Sequence, residues 1–293
     1  MSEGILGGLT LAELGKRVWK EASEDKIFGT AAELAYYFLL ALFPMLIFLT
    51  SLVGFLPGAQ ENILNGLAKA VPGEAMDMVR ETLQDVVANR SGGLLSFGVL
   101  GTLWASSSGV ASLMESLNIA YEVKEGRSFI KQRVVAVGLT IMLTLLIIGG
   151  TVLIMFGDKF ADAVAGWLGL GPAFATIWHI VDYVLGLALL FFGIQMIYYF
   201  GPNIKQAWRW ITPGAAFAVF GLIVGSLAFS LYLRFGPEYS ATYGSIGAVI
   251  VLMLWLYMMG LMLLAGAEIN SEIARAQDQM PAEREQPEQL KAA

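Results

Sequence analysis

The chain has 293 residues, is 57% hydrophobic and only 14% charged, and carries a formal net charge of −6, where a soluble domain would be about 25% charged. It has no Cys and one His, which excludes disulfides, thiol catalysis, Fe–S clusters, Cys-zinc sites, multi-His metal centres and bis-His haem. The acidic balance argues against a nucleic-acid surface, which wants a basic patch, so neither a cofactor nor a nucleic-acid partner is expected.

The first residues, MSEGILGG, lack a basic segment followed by an apolar core, so no cleavable signal peptide is expected. Leu11, Leu14 and Val18 then recur at helical spacing opposite Glu13, Lys16 and Lys20. That pattern predicts an amphipathic helix within a cytoplasmic segment 1–32. It would lie on the membrane face with Trp19 at the headgroups, or pack as a short solvated helix.

Six apolar runs follow, at about 35–56, 94–117, 134–156, 173–200, 211–233 and 243–267, and no Lys or Arg falls inside any of them. Each matches the roughly 20 residues needed to cross a bilayer. An ionised side chain at mid-bilayer costs roughly 2.5–3.5 kcal/mol, which explains the missing charge. The expected fold is all-α: a polytopic six-transmembrane-helix bundle over 33–271 in a bacterial plasma (inner) membrane. Of the 18 Lys and Arg residues, 13 fall on the side of the two termini and 5 on the other, which predicts cytoplasmic N- and C-termini.

Between the first two runs, the outer loop 57–93 keeps helical periodicity on both sides of Pro72-Gly73. It reads as two short amphipathic helices broken at that dipeptide. The residues after Ser271, rich in Gln, Glu, Ala and Pro, predict a disordered cytoplasmic tail over 272–293.

Several residues within the runs need a reason. Pro44 in the first run removes a backbone donor and crowds the carbonyl of Leu40; it predicts a static kink or a broken helix beside a binding site. Ser106, Ser107, Ser108 and Gly109 in the second run suit a tightly packed interior helix or a polar path. Glu115 and Asn118 share a face three residues apart, and Gln195 lies within the fourth run. Glu268 and Asn270 close the sixth. With Glu33 and Asn203, these place polar groups at the cytoplasmic ends of four helices. They form either a vestibule or ordinary helix ends answered by Arg127, Lys131 or Arg133. Ser106, Ser107, Ser108, Pro44, Glu115, Asn118, Gln195, Glu268 and Asn270 are the candidate substrate path. Near the outer interface, His179 and Asp182 are three apart and able to meet, as a proton-responsive pair or as an interfacial polar pair. Gly221-x-x-x-Gly225 permits close helix crossing within one bundle or in a homo-oligomer.

Four passages carry a family resemblance: AAELAYYFLLALFPMLIFL at 31–49, ESLNIAYEVKEGRSFIKQR at 115–133, YYFGPN at 198–203 and YGSIGAVIVLMLWLYMMGLMLLAGAEIN at 243–270. Over about 20–275 the chain resembles the YihY/virulence factor BrkB family of six-span bacterial membrane proteins. The resemblance implies a transporter or permease for lipids or other amphiphiles, without a settled substrate. An old label ties the family to ribonuclease BN. Metal-assisted RNA hydrolysis needs His and carboxylates clustered in a wet groove, and one His with no basic face gives that label no support.

Three functions follow in order of fit. A transporter or flippase in contact with membrane lipids needs the path residues to converge on one cavity. A scaffold or envelope-integrity protein would bind a protein partner through 57–93. An intramembrane enzyme fits worst, since no paired Asp at membrane depth, His-Glu-x-x-His or Ser near a His is visible. No Gly-x4-Gly-Lys-Ser/Thr loop is present, so active transport would draw on a gradient or a partner.

Overall fold

A computed structural model describes residues 6–53, 76, 95–168, 172–235 and 245–289, and among these every regular element is an α-helix. Helix α1 spans Leu11–Glu24 and starts with a capping box. The Thr10 hydroxyl accepts from the Glu13 amide while the Glu13 carboxylate accepts from the Thr10 amide, satisfying two otherwise orphaned donors. Leu14 and Ala22, on its apolar stripe, are buried. Lys26, at φ 52°, turns the chain from α1 into α2.

The six apolar runs each form one helix: α2 (Ile27–Val53), α3 (Leu95–Ala120), α4 (Phe129–Leu168), α5 (Pro172–Phe200), α6 (Pro213–Phe235) and α7 (Ser245–Gln289). Among the described residues, five of them, α2 and α4 to α7, are long and apolar enough to cross a membrane. In α3, Ser106, Ser107, Ser112, Ser116 and Asn118 are buried against protein, and a helix wrapped by its neighbours does not need an apolar surface all round. At 40 residues, α4 is about 60 Å long, well beyond the bilayer core.

Helix α2 packs between α3 and α7, α7 against α6, α4 against α5 and α3, and α1 lies across α7. The core gathers Leu34 of α2, Leu117 of α3, Tyr198 of α5, Val219 of α6 and Leu264 of α7. It therefore sits near the end of the bundle that carries α1. A second cluster, Met114 with Ala136 and Leu139, joins α3 to α4. Small residues set the closest approaches. A Cβ at Gly109 would come 2.9 Å from the Ala41 Cβ, so α2 and α3 meet there. Gly221 and Gly225 face Met262 and Met258 of α7, which places that motif inside the bundle.

Helix α7 continues to Gln289, through residues whose composition predicts disorder. Ile273 and Ala276 are buried beneath the α1 segment, and this anchoring carries the helix past the membrane-length run. Pro44 lies within α2 without ending it. Apart from Met76, the outer loop 57–93 lies outside the described residues.

A polar cleft between α2, α3 and α4

Ser108, Ala111, Ser112 and Glu115 fall at helical spacing along one stripe of α3. Phe129, Gln132 and Arg133 form the matching stripe on the first turns of α4. With Tyr37 of α2 they line a cleft of about 230 Å³. Arg133 stands one residue before the third apolar run, yet its side chain reaches along the bundle toward Trp104. Its Nη2 donates to the Ser108 hydroxyl at 3.1 Å and to the Trp104 carbonyl. Its guanidinium carbon sits 4.1 Å from the centre of the Trp104 ring, within cation–π range. Its buried Nε has no acceptor, and none of the ion pairs among the described residues engages it. Toward the α1 end, Gln132 Nε2 donates to Glu115 Oε1 at 3.1 Å. The cleft thus holds a cation without a carboxylate partner, an anion met by an amide, hydroxyls, and the rings of Tyr37 and Phe129.

The nine candidate path residues do not gather in one cavity. Ser108 and Glu115 line the cleft. Ser106 and Ser107 turn their hydroxyls back onto the Leu103 and Trp104 carbonyls of their own helix, at 3.1 and 2.8 Å. Pro44 is half-buried in α2.

Asn118 belongs to a clamp instead. Its Nδ2 donates to Glu125 at 2.9 Å and its Oδ1 accepts from the Asn203 amide at 2.7 Å. Arg127 bonds the Glu125 carboxylate, the carbonyl of Phe200, the last residue of α5, and that of Gly201 just after it. Hydrogen bonds from Arg127 hold the Glu125 carboxyl down to about 2.

Gln195 and Asn270 meet through Thr212. The Thr212 hydroxyl donates to Gln195 Oε1 and accepts from Asn270 Nδ2, both at 3.0 Å, while Asn270 Oδ1 accepts from the Gly214 amide at 2.8 Å. Thr212 precedes Pro213, the first residue of α6, so this trio caps that helix.

Glu268 is fully buried in α7 and neither carboxylate oxygen has a partner. It lies within hydrogen-bond reach of Asp25, at the turn between α1 and α2. Asp182 faces α4 across from Gly157, where a Cβ would come 2.8 Å from its Oδ2; the side chain of His179 lies outside the described residues.

The cleft residues outside the candidate path are Tyr37, Ala111, Ser112, Phe129, Gln132 and Arg133. The signal available for Gln132 and Arg133 was their spacing from Phe129, at i+3 and i+4.

The model of the family described as virulence factor BrkB matches residues 18–292. A ribonuclease-like protein YfkH of Bacillus subtilis (strain 168) is 38% identical over 261 residues, covering 89% of this chain and 94% of its own. A UPF0761 membrane protein of Tolumonas auensis is 25% identical over 276 residues, covering 88% of this chain and 84% of its own. One from Haemophilus influenzae is 24% identical over 281 residues, covering 93% and 99%. No solved structure matches. With that match across nearly its whole length, the chain belongs to the virulence factor BrkB family and is a multi-pass bacterial membrane protein.

Proposed function

We propose that this protein is a permease or flippase of a lipid-like or other small amphiphile, and that the cleft between α2, α3 and α4 receives the polar end of that molecule. The observation that carries the reading is Arg133. Placing an arginine within a helix of membrane-spanning length is costly unless something answers it. Here Nη2 is met by Ser108 and the Trp104 carbonyl, but the buried Nε has no acceptor and no ion pair among the described residues engages the guanidinium. An anionic headgroup would complete its hydrogen bonding, and the charge-assisted bonds to phosphate or carboxylate are the strong ones. Tyr37, Phe129 and the exposed apolar surface of α4 suit an acyl chain or other apolar body. Only Ser108 and Glu115 of the nine path residues line the cleft, so the reading rests on Arg133 and the open cleft rather than on the convergence expected from sequence.

The test is transbilayer movement of a fluorescent phospholipid in proteoliposomes, read by quenching of the outer leaflet. Acceleration by the wild-type protein, lost in Arg133→Gln, is expected. Equal rates with and without protein would overturn the reading, and native mass spectrometry from nanodiscs would then decide whether a partner polypeptide remains bound.

In this proposal six helices cross the plasma membrane, α3 included, with both termini cytoplasmic. The charge asymmetry of 13 against 5 supports it. Because the chain has no Cys, single cysteines introduced at Lys16 and Lys159 give a clean test: impermeant reagents should reach Lys159→Cys from outside and Lys16→Cys only from inside. A ribonuclease or other enzymatic role forms no part of the proposal, in keeping with the single His and the acidic balance.

A further inference from the structure

Three buried carboxylate oxygens lie at the junction of α1, α2 and α7 without a donor: Glu268 Oε1 and Oε2, and Asp25 Oδ2. Glu268 is 0% exposed, and the two side chains are within hydrogen-bond reach of each other. Two acceptors that face each other in a buried site repel when both are ionised, and neither gains a hydrogen bond. A single proton removes both defects: one carboxyl becomes a donor and the other remains its acceptor.

From this geometry we infer that Glu268 and Asp25 together form a proton-binding site, holding one proton between them at neutral pH. The inference stands apart from the cleft and does not depend on the amphiphile reading.

The surrounding charges are arranged so that none of them supplies the missing donor. From α1, Glu21 adds a further carboxylate, and Arg17 is directed to Glu272 at 4.0 Å. Glu122, just beyond α3, and Glu272 of α7 both draw on Arg275 Nη1, at 2.9 and 3.2 Å, with Glu21 at 3.9 Å. Arg275 Nη2 is buried without an acceptor, so this arginine acts on the pair through its charge alone. Tyr121 stands near Glu268, while the Tyr198 hydroxyl of α5 is committed to the Leu263 carbonyl at 2.6 Å. Burial and the nearby Glu122 push the Asp25 carboxyl above its usual range, against the pull of Glu268 and Arg275. A metal ion fits less well, since no group of three or more acidic or His side chains among the described residues is placed to hold one.

The site also lies where α1 is fastened. Arg17–Glu272, Arg275–Glu21 and the Asp25–Glu268 contact are polar links from α1 and its following turn to α7 among the described residues. Loss of the proton would place two adjacent negative charges in that joint. Proton binding is therefore coupled to the docking of the amphipathic helix.

Infrared spectroscopy of the full-length protein in nanodiscs reads the proton directly, as the carbonyl band of a protonated carboxyl. The wild type should show this band at neutral pH and lose it in one step on alkaline titration. Glu268→Gln should abolish it. Asp25→Asn should retain a band at a shifted frequency, because Glu268 keeps its proton but changes its acceptor. Glu272→Gln should leave the band unchanged. If Glu268→Gln fails to fold, the wild-type titration and Asp25→Asn still decide the matter. No band in the wild type at neutral pH would mean that Arg275 turns to answer Glu268, and the inference falls. A band that appears only when sodium is replaced by choline would assign the site to a metal cation and overturn it equally.

Discussion

Arg127 reaches back two residues to Glu125, with Nε at 2.8 Å and Nη2 at 2.7 Å from its carboxylate oxygens, and spends further donors on the carbonyls of Phe200 and Gly201. One side chain thus closes the α3–α4 connection and caps the C-terminal end of α5, where a cation is favoured by the helix dipole. Asn118 completes the clamp from α3 through Glu125 and the Asn203 amide.

Removing the guanidinium should therefore loosen two connections at once. Arg127 is 8% exposed, and hydrogen bonds to charged groups contribute about 1.5–3 kcal/mol. Arg127→Ala should lower unfolding stability in lipid by about 3 kcal/mol. Arg127→Lys should recover only part, since an ammonium cannot serve Glu125 and two carbonyls with one planar fork. Denaturant titration in mixed micelles, followed by far-ultraviolet circular dichroism, checks both.

The same clamp predicts an acid limb in stability. The folded protein holds Glu125 near 2, below the ordinary 4.5. A depressed carboxyl contributes stability that is complete above its unfolded value. That contribution should fade as pH falls from 4.5 toward about 2. Glu125→Gln should be less stable than the wild type at neutral pH and flatter across that window. Parallel curves for the two proteins between those pH values would contradict the assignment.

How much of this was legible in the sequence differs between helices and contacts. The positions of the six helices follow from hydropathy, because lipid demands apolar runs of a fixed length. Helix α3 shows the limit of that signal: its run is apolar enough to be found, but hydropathy reads composition and not surroundings, so it does not say that Ser106, Ser107, Ser112 and Ser116 are buried against protein. The stripe Ser108–Glu115 was visible from spacing alone. Arg133 was not, because its place before an apolar run marks it as a loop cation, and the direction of a long side chain is set by its partner helix. The Gln195–Thr212–Asn270 cap and the Asp25–Glu268 contact join residues far apart in sequence, and no local pattern announces such a pairing. The continuation of α7 past Ser271 likewise depends on a distant segment, with Gly7, just before α1, lying against Ile273 and Ala276.

Glycines in α6 should differ sharply in their tolerance of a methyl group. At Gly214 an added Cβ would overlap the backbone carbonyl of Gly266, so one helix must move. At Gly221 it would meet Met262 Sδ at 2.6 Å, the adaptable end of a flexible side chain. Overpacking costs about 1–3 kcal/mol. Gly214→Ala should fall at about 3 kcal/mol and Gly221→Ala at about 1 kcal/mol, measured by thermal unfolding in the same detergent. The reverse order would mean that α6 and α7 are not packed as described.

The cleft makes a prediction that separates its two polar ends. Ser108 and the Trp104 carbonyl occupy Arg133 Nη2, so the serine competes with an incoming anion for that donor. Ser108→Ala should leave retention of phosphatidylglycerol in native mass spectrometry unchanged or raise it. Arg133→Gln removes the charge and should weaken retention by about ten-fold or more, the effect of losing a charge-assisted hydrogen bond. Glu115→Gln should act on headgroup preference: with its negative charge gone, the cleft should hold phosphatidylglycerol more tightly relative to phosphatidylethanolamine, whose ammonium group Glu115 would otherwise attract. If all three variants retain both lipids equally, the lipids bind elsewhere and Arg133 serves only to join α3 to α4.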